Sequence, residues 1–170
     1  LVLKEELLRA ELISAPLTIL ILLFVFGTVV SASLPALSGI YTVIAAVGII
    51  HGLTYIVDDL TVYAVNIVSL LGIGLSVDYS LFIVNRFREE LGRGHDKRTA
   101  IAMTSATAGR AILFSGLTVI AGLTGMLFFE NTGLPSLGWG GICATLVALT
   151  SSVILLSLIH ISEPTRQAEI

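Results

Sequence analysis

One acidic residue, Asp78, lies in the middle of a long apolar run, residues 71–88, LGIGLSVDYSLFIVNRFR. Residues 60–77 and 79–85 carry no charge, and Arg86 is the first basic residue after them. At 1.5 Å per residue, Asp78 lies roughly 12 Å below an interface at Arg86, near the centre of a hydrocarbon core about 30 Å thick. Intramembrane acids are costly and often relay protons, so this position predicts coupling or transport chemistry. The alternative is a carboxylate that is hydrogen-bonded to a neighbouring helix for packing alone.

Helical spacing places other side chains around this acid. Gly74, Asp78, Phe82 and Asn85 share roughly one helix face, where Gly74 allows a partner helix to approach the carboxylate. Tyr79 points about 100° away, so we expect its phenol not to bond Asp78 but to contact an acid on a neighbouring helix. Proton coupling requires a carboxylate that is neutral in one access state and ionised in the other.

The composition is that of a membrane protein. Hydrophobic residues make up 55% of the chain, charged residues make up 12%, and the mean hydropathy is +0.99. Cys143 is the only cysteine, which excludes a disulfide framework and a thiol metal site. We expect no metal site, no cofactor and no nucleic-acid partner.

The apolar runs predict an all-α membrane fold with five transmembrane helices, preceded by an exterior amphipathic segment at 1–15. The helices are expected at about 16–34, 37–56, 60–87, 111–129 and 137–155. Pro35 predicts a tight helical hairpin at residues 33–35. Residues 96–107 are expected to form a short amphipathic cytoplasmic helix that ends before Gly109, at the membrane surface.

Basic residues set the expected orientation. One connection, between the third and fourth predicted helices, carries six of them, whereas the connections at 57–59 and 130–136 carry only acids. The positive-inside rule therefore places that connection in the cytoplasm. Its first three arginines, at 86, 88 and 93, are expected to meet anionic lipid, and the alternative is contact with a substrate or partner. The six are Arg86, Arg88, Arg93, Lys97, Arg98 and Arg110.

The two ends of the chain lead to separate predictions. Residues 156–166, LSLIHISEPTR, resemble the translation of a transposase-type sequencing adapter, and QAEI after them fits an index and the next adapter segment. We therefore expect residues 156–170 to be a non-native tail, to be left out of functional reasoning. The chain opens without Met, so we expect the true N-terminus to lie upstream.

Two strings carry a specific resemblance: GLSVDYSLFIVNRFREEL at 74–91 and ATAGRAILFSGLTVIAGLTG at 106–125. They resemble the membrane domain of MmpL-type transporters of the RND superfamily, and the resemblance extends over about residues 5–155. It implies that the five helices are the second to sixth of one RND-type half-bundle in the cell membrane. It also implies a porter domain upstream and a second transmembrane half, whose acid–tyrosine pair would complete a proton relay with Asp78 and Tyr79.

The function implied by this resemblance is proton-motive-force-driven export of lipids or other hydrophobic compounds, with protons and membrane lipids as partners. Homo-oligomerisation is left open. The alternative is a sterol-sensing-like or translocation-accessory membrane domain of the same architecture, since a fold alone does not fix function. An intramembrane aspartyl protease needs two facing acids, and only Asp78 qualifies. Two further sites keep two interpretations each: Asp58 and Asp59 form a solvated turn or a proton entrance, and His51 is an interfacial residue or a relay partner.

Overall fold

Four long helical stretches build the structure, a computed structural model that describes residues 16, 29–57, 60, 62–129 and 132–161. Helix α1 spans Val29–Leu53, and α2 spans Val62–Gly92. The third stretch joins α3 (Lys97–Thr104), a π-helical turn (Ser105–Gly109), α4 (Arg110–Thr124) and a 3₁₀ turn (Gly125–Phe128), and α5 spans Leu134–Ile161. Each stretch is long and apolar enough to cross a membrane: the candidate spans are Leu34–Leu53, Tyr63–Gly92, Lys97–Phe128 and Leu134–Ser157.

The all-α membrane fold is thus found, with four spans in the described part of the chain instead of the five predicted. The exterior segment 1–15 and most of the first predicted helix, 16–34, lie outside the described residues. The predicted adapter-derived tail begins inside α5, at Leu156, and residues 162–170 also lie outside the described part.

The predicted hairpin at residues 33–35 is wrong, because α1 is continuous and contains Pro35. Proline removes one backbone donor, but a break in lipid would leave many more backbone groups without partners, so transmembrane helices tolerate it. Ser38 Oγ donates a hydrogen bond to the Pro35 carbonyl oxygen over 2.8 Å. Residues 29–34, predicted to end one helix, therefore belong to the next.

The predicted break before Gly109 is also wrong, because the helix runs on from α3 through the π-helical turn into α4. The buried residues explain the continuity: they recur every four positions on both sides of the turn and form one ridge against the bundle. These residues are Ala100, Thr104, Ala108, Ile112 and Gly116. A separate surface helix at 96–107 would take the first half of this ridge out of the bundle.

Helices α2 and α5 pack against each other at the centre, with α1 on both of them. Hydroxyl groups connect all three helices inside the apolar core. Ser76 Oγ lies 2.9 Å from Thr42 Oγ1 on α1 and 3.2 Å from Ser151 Oγ on α5. Such interhelical bonds stabilise membrane bundles by about 0.6 kcal/mol each, so they fix the register of the helices more than they hold them together.

A close approach of two helices lies at Gly140 and predicts a sharp effect of a single methyl group. A Cβ atom on Gly140 would lie 2.7 Å from the Ala64 carbonyl oxygen and 3.0 Å from Ala64 Cα, both backbone atoms. Gly140→Ala should therefore force α2 and α5 apart and lower the free energy of unfolding by about 1–3 kcal/mol. We expect this loss in denaturation by SDS in mixed micelles.

Gly122→Ala on α4 is the matched control, because nothing lies within 4 Å of its Cβ position. It should leave stability unchanged or raise it by up to about 1 kcal/mol through helix propensity. Equal losses in the two variants would contradict the close approach at Gly140.

Candidate functional site

One face of α2 is exposed from Tyr63 to Asn85. Its residues recur at spacings of three and four, as the residues of one helical face do. These residues are Tyr63, Asn66, Leu70, Gly74, Asp78, Phe82 and Asn85. The four positions that spacing placed on one face (74, 78, 82 and 85) are all found on it. We call this surface the α2 outer face.

Asp78 is the acid of this face. Its side chain is exposed and makes no hydrogen bond or ion pair with the described residues. The Cβ position of Gly74, one turn before it, has nothing within 4 Å, so the backbone beside the carboxylate is open to close approach. The chain therefore presents outward a carboxylate that lies near the middle of a candidate span, and does not enclose it.

Tyr79 points into the bundle instead. Its side chain is 6% exposed and packs with Ile83, Ile112 and Leu149 in the core cluster formed by α2, α4 and α5. Its hydroxyl oxygen is buried and has no hydrogen-bond partner among the described residues. A buried phenol without a partner costs about 1–3 kcal/mol, so this hydroxyl is chemically available. Asp78 and Tyr79 are thus neighbours in sequence, but Asp78 faces outward and Tyr79 faces into the bundle.

A second cluster of charges, at the end of α2, was not recognised from the sequence. Glu90 is completely buried, and its Oε1 forms an ion pair with Arg86 Nη2 at 2.6 Å and accepts a hydrogen bond from Arg93 Nη1 at 2.9 Å. His95 Nδ1 lies 2.9 Å from the other carboxylate oxygen. Gly94, at φ 85°, makes the turn that brings His95 back to Glu90. In the sequence, this cluster was indicated only by the spacing of Arg86 and Arg93 on either side of Glu90.

Arg86 also connects this cluster to the next span. Its Nε donates to Thr107 Oγ1 in the π-helical turn over 3.2 Å. Beyond the cluster, Asp96 caps α3 by accepting from the Thr99 backbone N–H at 3.5 Å, and hydrogen bonding from Thr99 lowers the pKa of this carboxyl. The end of α2, the turn and the start of the third stretch therefore form one polar unit.

The six basic residues expected to set the topology have different environments. Arg86 and Arg93 are the ion-paired residues just described, so they also have a structural role. The side chains of Arg88, Lys97, Arg98 and Arg110 are exposed.

Other sequence candidates contribute little to the site. His51 is exposed near the end of α1, with its ring 5.9 Å from that of Tyr55, and Asp58 and Asp59 lie outside the described residues. In the described part of the chain, no three His, Cys, Asp or Glu side chains are close enough to hold a metal ion.

Comparison with known proteins decides the family. The family model described as "MMPL family" matches residues 2–162. The chain belongs to the MMPL family. Together with the four apolar helices, membership in this family of transporters makes it a multi-pass protein of the plasma membrane.

Three relatives show how this MMPL chain compares with curated proteins. It is 40% identical over 152 residues to the mycolic acid-containing lipids exporter MmpL11 of Mycolicibacterium smegmatis, covering 89% of this chain and 16% of that protein. It is 37% identical over 156 residues to the trehalose monomycolate exporter MmpL3 of the same organism, covering 90% and 15%. It is 37% identical over 152 residues to the heme uptake protein MmpL11 of Mycobacterium tuberculosis, covering 89% and 16%. The chain thus spans about one sixth of the length of these relatives.

Proposed function

We propose that this chain is the proton-coupling part of one half of a lipid exporter, with Asp78 as the proton carrier. The α2 outer face is the observation that carries this proposal. Asp78 and Asn85 lie on it within a candidate span, together with Asn66. Acid and amide groups facing hydrocarbon are strongly disfavoured, so this face is one that another protein surface covers in the membrane.

A second transmembrane half of the same transporter is the surface that fits. The open backbone at Gly74 admits a helix close to Asp78. A carboxylate between two halves is neutral when it is protonated and attracts polar groups when it is ionised. Protonation therefore changes how the halves pack, and this change can be coupled to movement of a substrate.

Tyr79 supports the proposal from inside the half-bundle. Its buried hydroxyl is a donor without a partner in the described part of the chain, one residue from the acid. A rotation of α2 would turn this donor toward the interface between the halves and Asp78 away from it. Proton relay by the Asp78–Tyr79 pair is thus part of the proposed mechanism.

We infer that the part of the transporter that selects the substrate lies outside this chain. The names of the relatives include lipid export and heme uptake, although their sequences match this chain over the same extent. What they share with it is the membrane segment, so we infer that this segment supplies the driving force. We propose lipids as the cargo because the two M. smegmatis relatives are exporters named for lipids.

A chimera tests the proposal. In the chimera, the matched residues of this chain replace the corresponding segment of the M. smegmatis MmpL3 relative. It is expressed in M. smegmatis cells in which the gene for the native relative is repressed. Labelled trehalose monomycolate is then measured at the outer surface. We expect export that a protonophore abolishes. A chimera that inserts in normal amounts but exports nothing would instead favour the accessory or sterol-sensing-like alternative.

A further inference from the structure

A cleft of about 540 Å³ opens between the third helical stretch and α5. It lies beside the π-helical turn, whose first and last residues both line it, and π-helical turns occur frequently at functional sites. Among the residues that line its walls are Ile101, Ser105, Arg110, Leu113, Ser152 and Val153. The cleft is separate from the α2 outer face, since no residue of α2 lines it.

Two hydrogen-bond donors in this cleft are uncommitted. The side chains of Arg110 and Ser105 are both exposed, and neither makes a hydrogen bond or ion pair with the described residues. In contrast, Ser152 Oγ donates to the Leu149 carbonyl oxygen of its own helix at 2.7 Å. The cleft therefore offers a guanidinium and a hydroxyl to a ligand, and the other walls are largely apolar.

The depth of Arg110 indicates which region of the bilayer the cleft meets. From Arg110 to Phe128 the helix rises roughly 27 Å, which is close to the thickness of the hydrocarbon core. The other side of the π-helical turn is bonded to Arg86, at the end of α2 that the basic residues place in the cytoplasm. Arg110 thus lies at the headgroup level of the cytoplasmic leaflet, and Leu113 lies one turn deeper.

We propose that this cleft binds an anionic phospholipid of the cytoplasmic leaflet. The phosphate would meet Arg110 and Ser105, and an acyl chain would lie along Leu113 and Val153. Guanidinium groups bind phosphate strongly, and basic pockets between transmembrane helices on the cytoplasmic side hold anionic headgroups. No acidic side chain lines the cleft, so nothing in it attracts the cation of a zwitterionic headgroup.

The site does not depend on the predicted adapter-derived tail for its polar contacts. Leu156 and Ser157 complete one wall of the cleft, and Ser157 Oγ donates to the Val153 carbonyl oxygen at 3.1 Å. Ser105 and Arg110 lie in the π-helical turn and at the start of α4, far from that tail in sequence.

Native mass spectrometry of the whole 170-residue chain tests the proposal. The chain is released from micelles that contain equal amounts of phosphatidylglycerol and phosphatidylcholine with matched acyl chains. We expect retained phosphatidylglycerol in excess. Arg110→Gln should reduce its retention about fivefold, as expected for one basic residue near an anionic headgroup. Arg98→Gln, an exposed basic residue outside the cleft, is the matched control and should change it little.

A second variant fills the cleft and keeps its charge. A Cβ atom on Gly109 would meet only Ser105 Oγ at 3.8 Å and Leu156 Cδ1 at 4.0 Å, which are ordinary contacts, so Gly109→Leu can extend into the cleft. It should reduce phosphatidylglycerol retention as much as Arg110→Gln does. Helical circular dichroism and elution volume equal to those of the parent chain show that each variant is folded.

Three results would overturn the proposal. Equal losses in Arg110→Gln and Arg98→Gln would mean diffuse attraction without a site. Equal retention of the two lipids would remove the preference for anionic headgroups. Displacement of the lipid by excess glycerol phosphate would show a site for free phosphate, because a bound acyl chain should resist a soluble competitor.

Discussion

Asp78→Asn should abolish export by the chimera and leave its amount in the membrane unchanged. Asparagine has nearly the same shape and stays polar on the α2 outer face, so it should preserve packing against the proposed second half. It cannot gain or lose a proton, and proton transfer by a positioned side chain contributes about 10²–10⁴-fold to a rate. We therefore expect the appearance of labelled trehalose monomycolate at the outer surface to fall by about 100-fold or more.

Asp96→Asn is the matched control for this experiment. It makes the same chemical change at an acid outside the spans, and asparagine caps a helix as well as aspartate does. Export should stay close to that of the parent chimera. If Asp78→Asn exports normally while a protonophore still stops the parent, the proton carrier lies elsewhere and the assignment of Asp78 is wrong.

Asp78 could be placed from sequence because the argument needed only local geometry. The position of the acid within an apolar run and the spacing of residues 74, 78, 82 and 85 depend on helical rise and rotation alone. All four positions lie on the exposed face. The inward position of Tyr79 is different, because it depends on which side of α2 meets α4 and α5. Sequence adjacency predicts the angle between the two side chains but not which of them faces the bundle.

The two wrong boundaries have a common physical cause. Pro35 and Gly109 end helices in water, where solvent satisfies the backbone groups that a break exposes. In the bundle, each lies in a helix that continues beside packed neighbours, and Ala108, next to Gly109, is itself buried. Proline and glycine are therefore weak indicators of helix ends in apolar segments, where packing and the absence of water determine where a helix ends.

The buried carboxylate of Glu90 was missed for the opposite reason. Sequence shows REE at 88–90 after an apolar helix, which is typical of a solvated end. Burial of Glu90 depends on the turn at Gly94, on His95 and on packing against α3, none of which a local pattern contains. Glu89 has the same two arginines as partners, but its side chain is 49% exposed. Two adjacent glutamates with the same partners therefore differ in burial.

This difference leads to the largest stability effect that we expect in the chain. Glu90→Gln should lower the free energy of unfolding by about 3 kcal/mol, the lower end for breaking a buried ion pair, because Arg86 and Arg93 remain partly exposed. The amide has no charge for the two arginines and a single acceptor oxygen where the carboxylate has two, and it adds an NH₂ group to a buried site. SDS denaturation in mixed micelles measures the loss.

Glu89→Gln separates burial from pairing. It removes the same charge from contacts with the same two arginines, but its side chain is half exposed, and exposed ion pairs contribute little to stability. We expect a small change in the unfolding midpoint and a large one for Glu90→Gln. Equal effects would mean that Glu90 is as solvated as Glu89, and the cluster would then not hold the end of α2 against the third helical stretch. A large effect confined to Glu90 would show that burial of the carboxylate, more than its pairing with the two arginines, sets its contribution to stability.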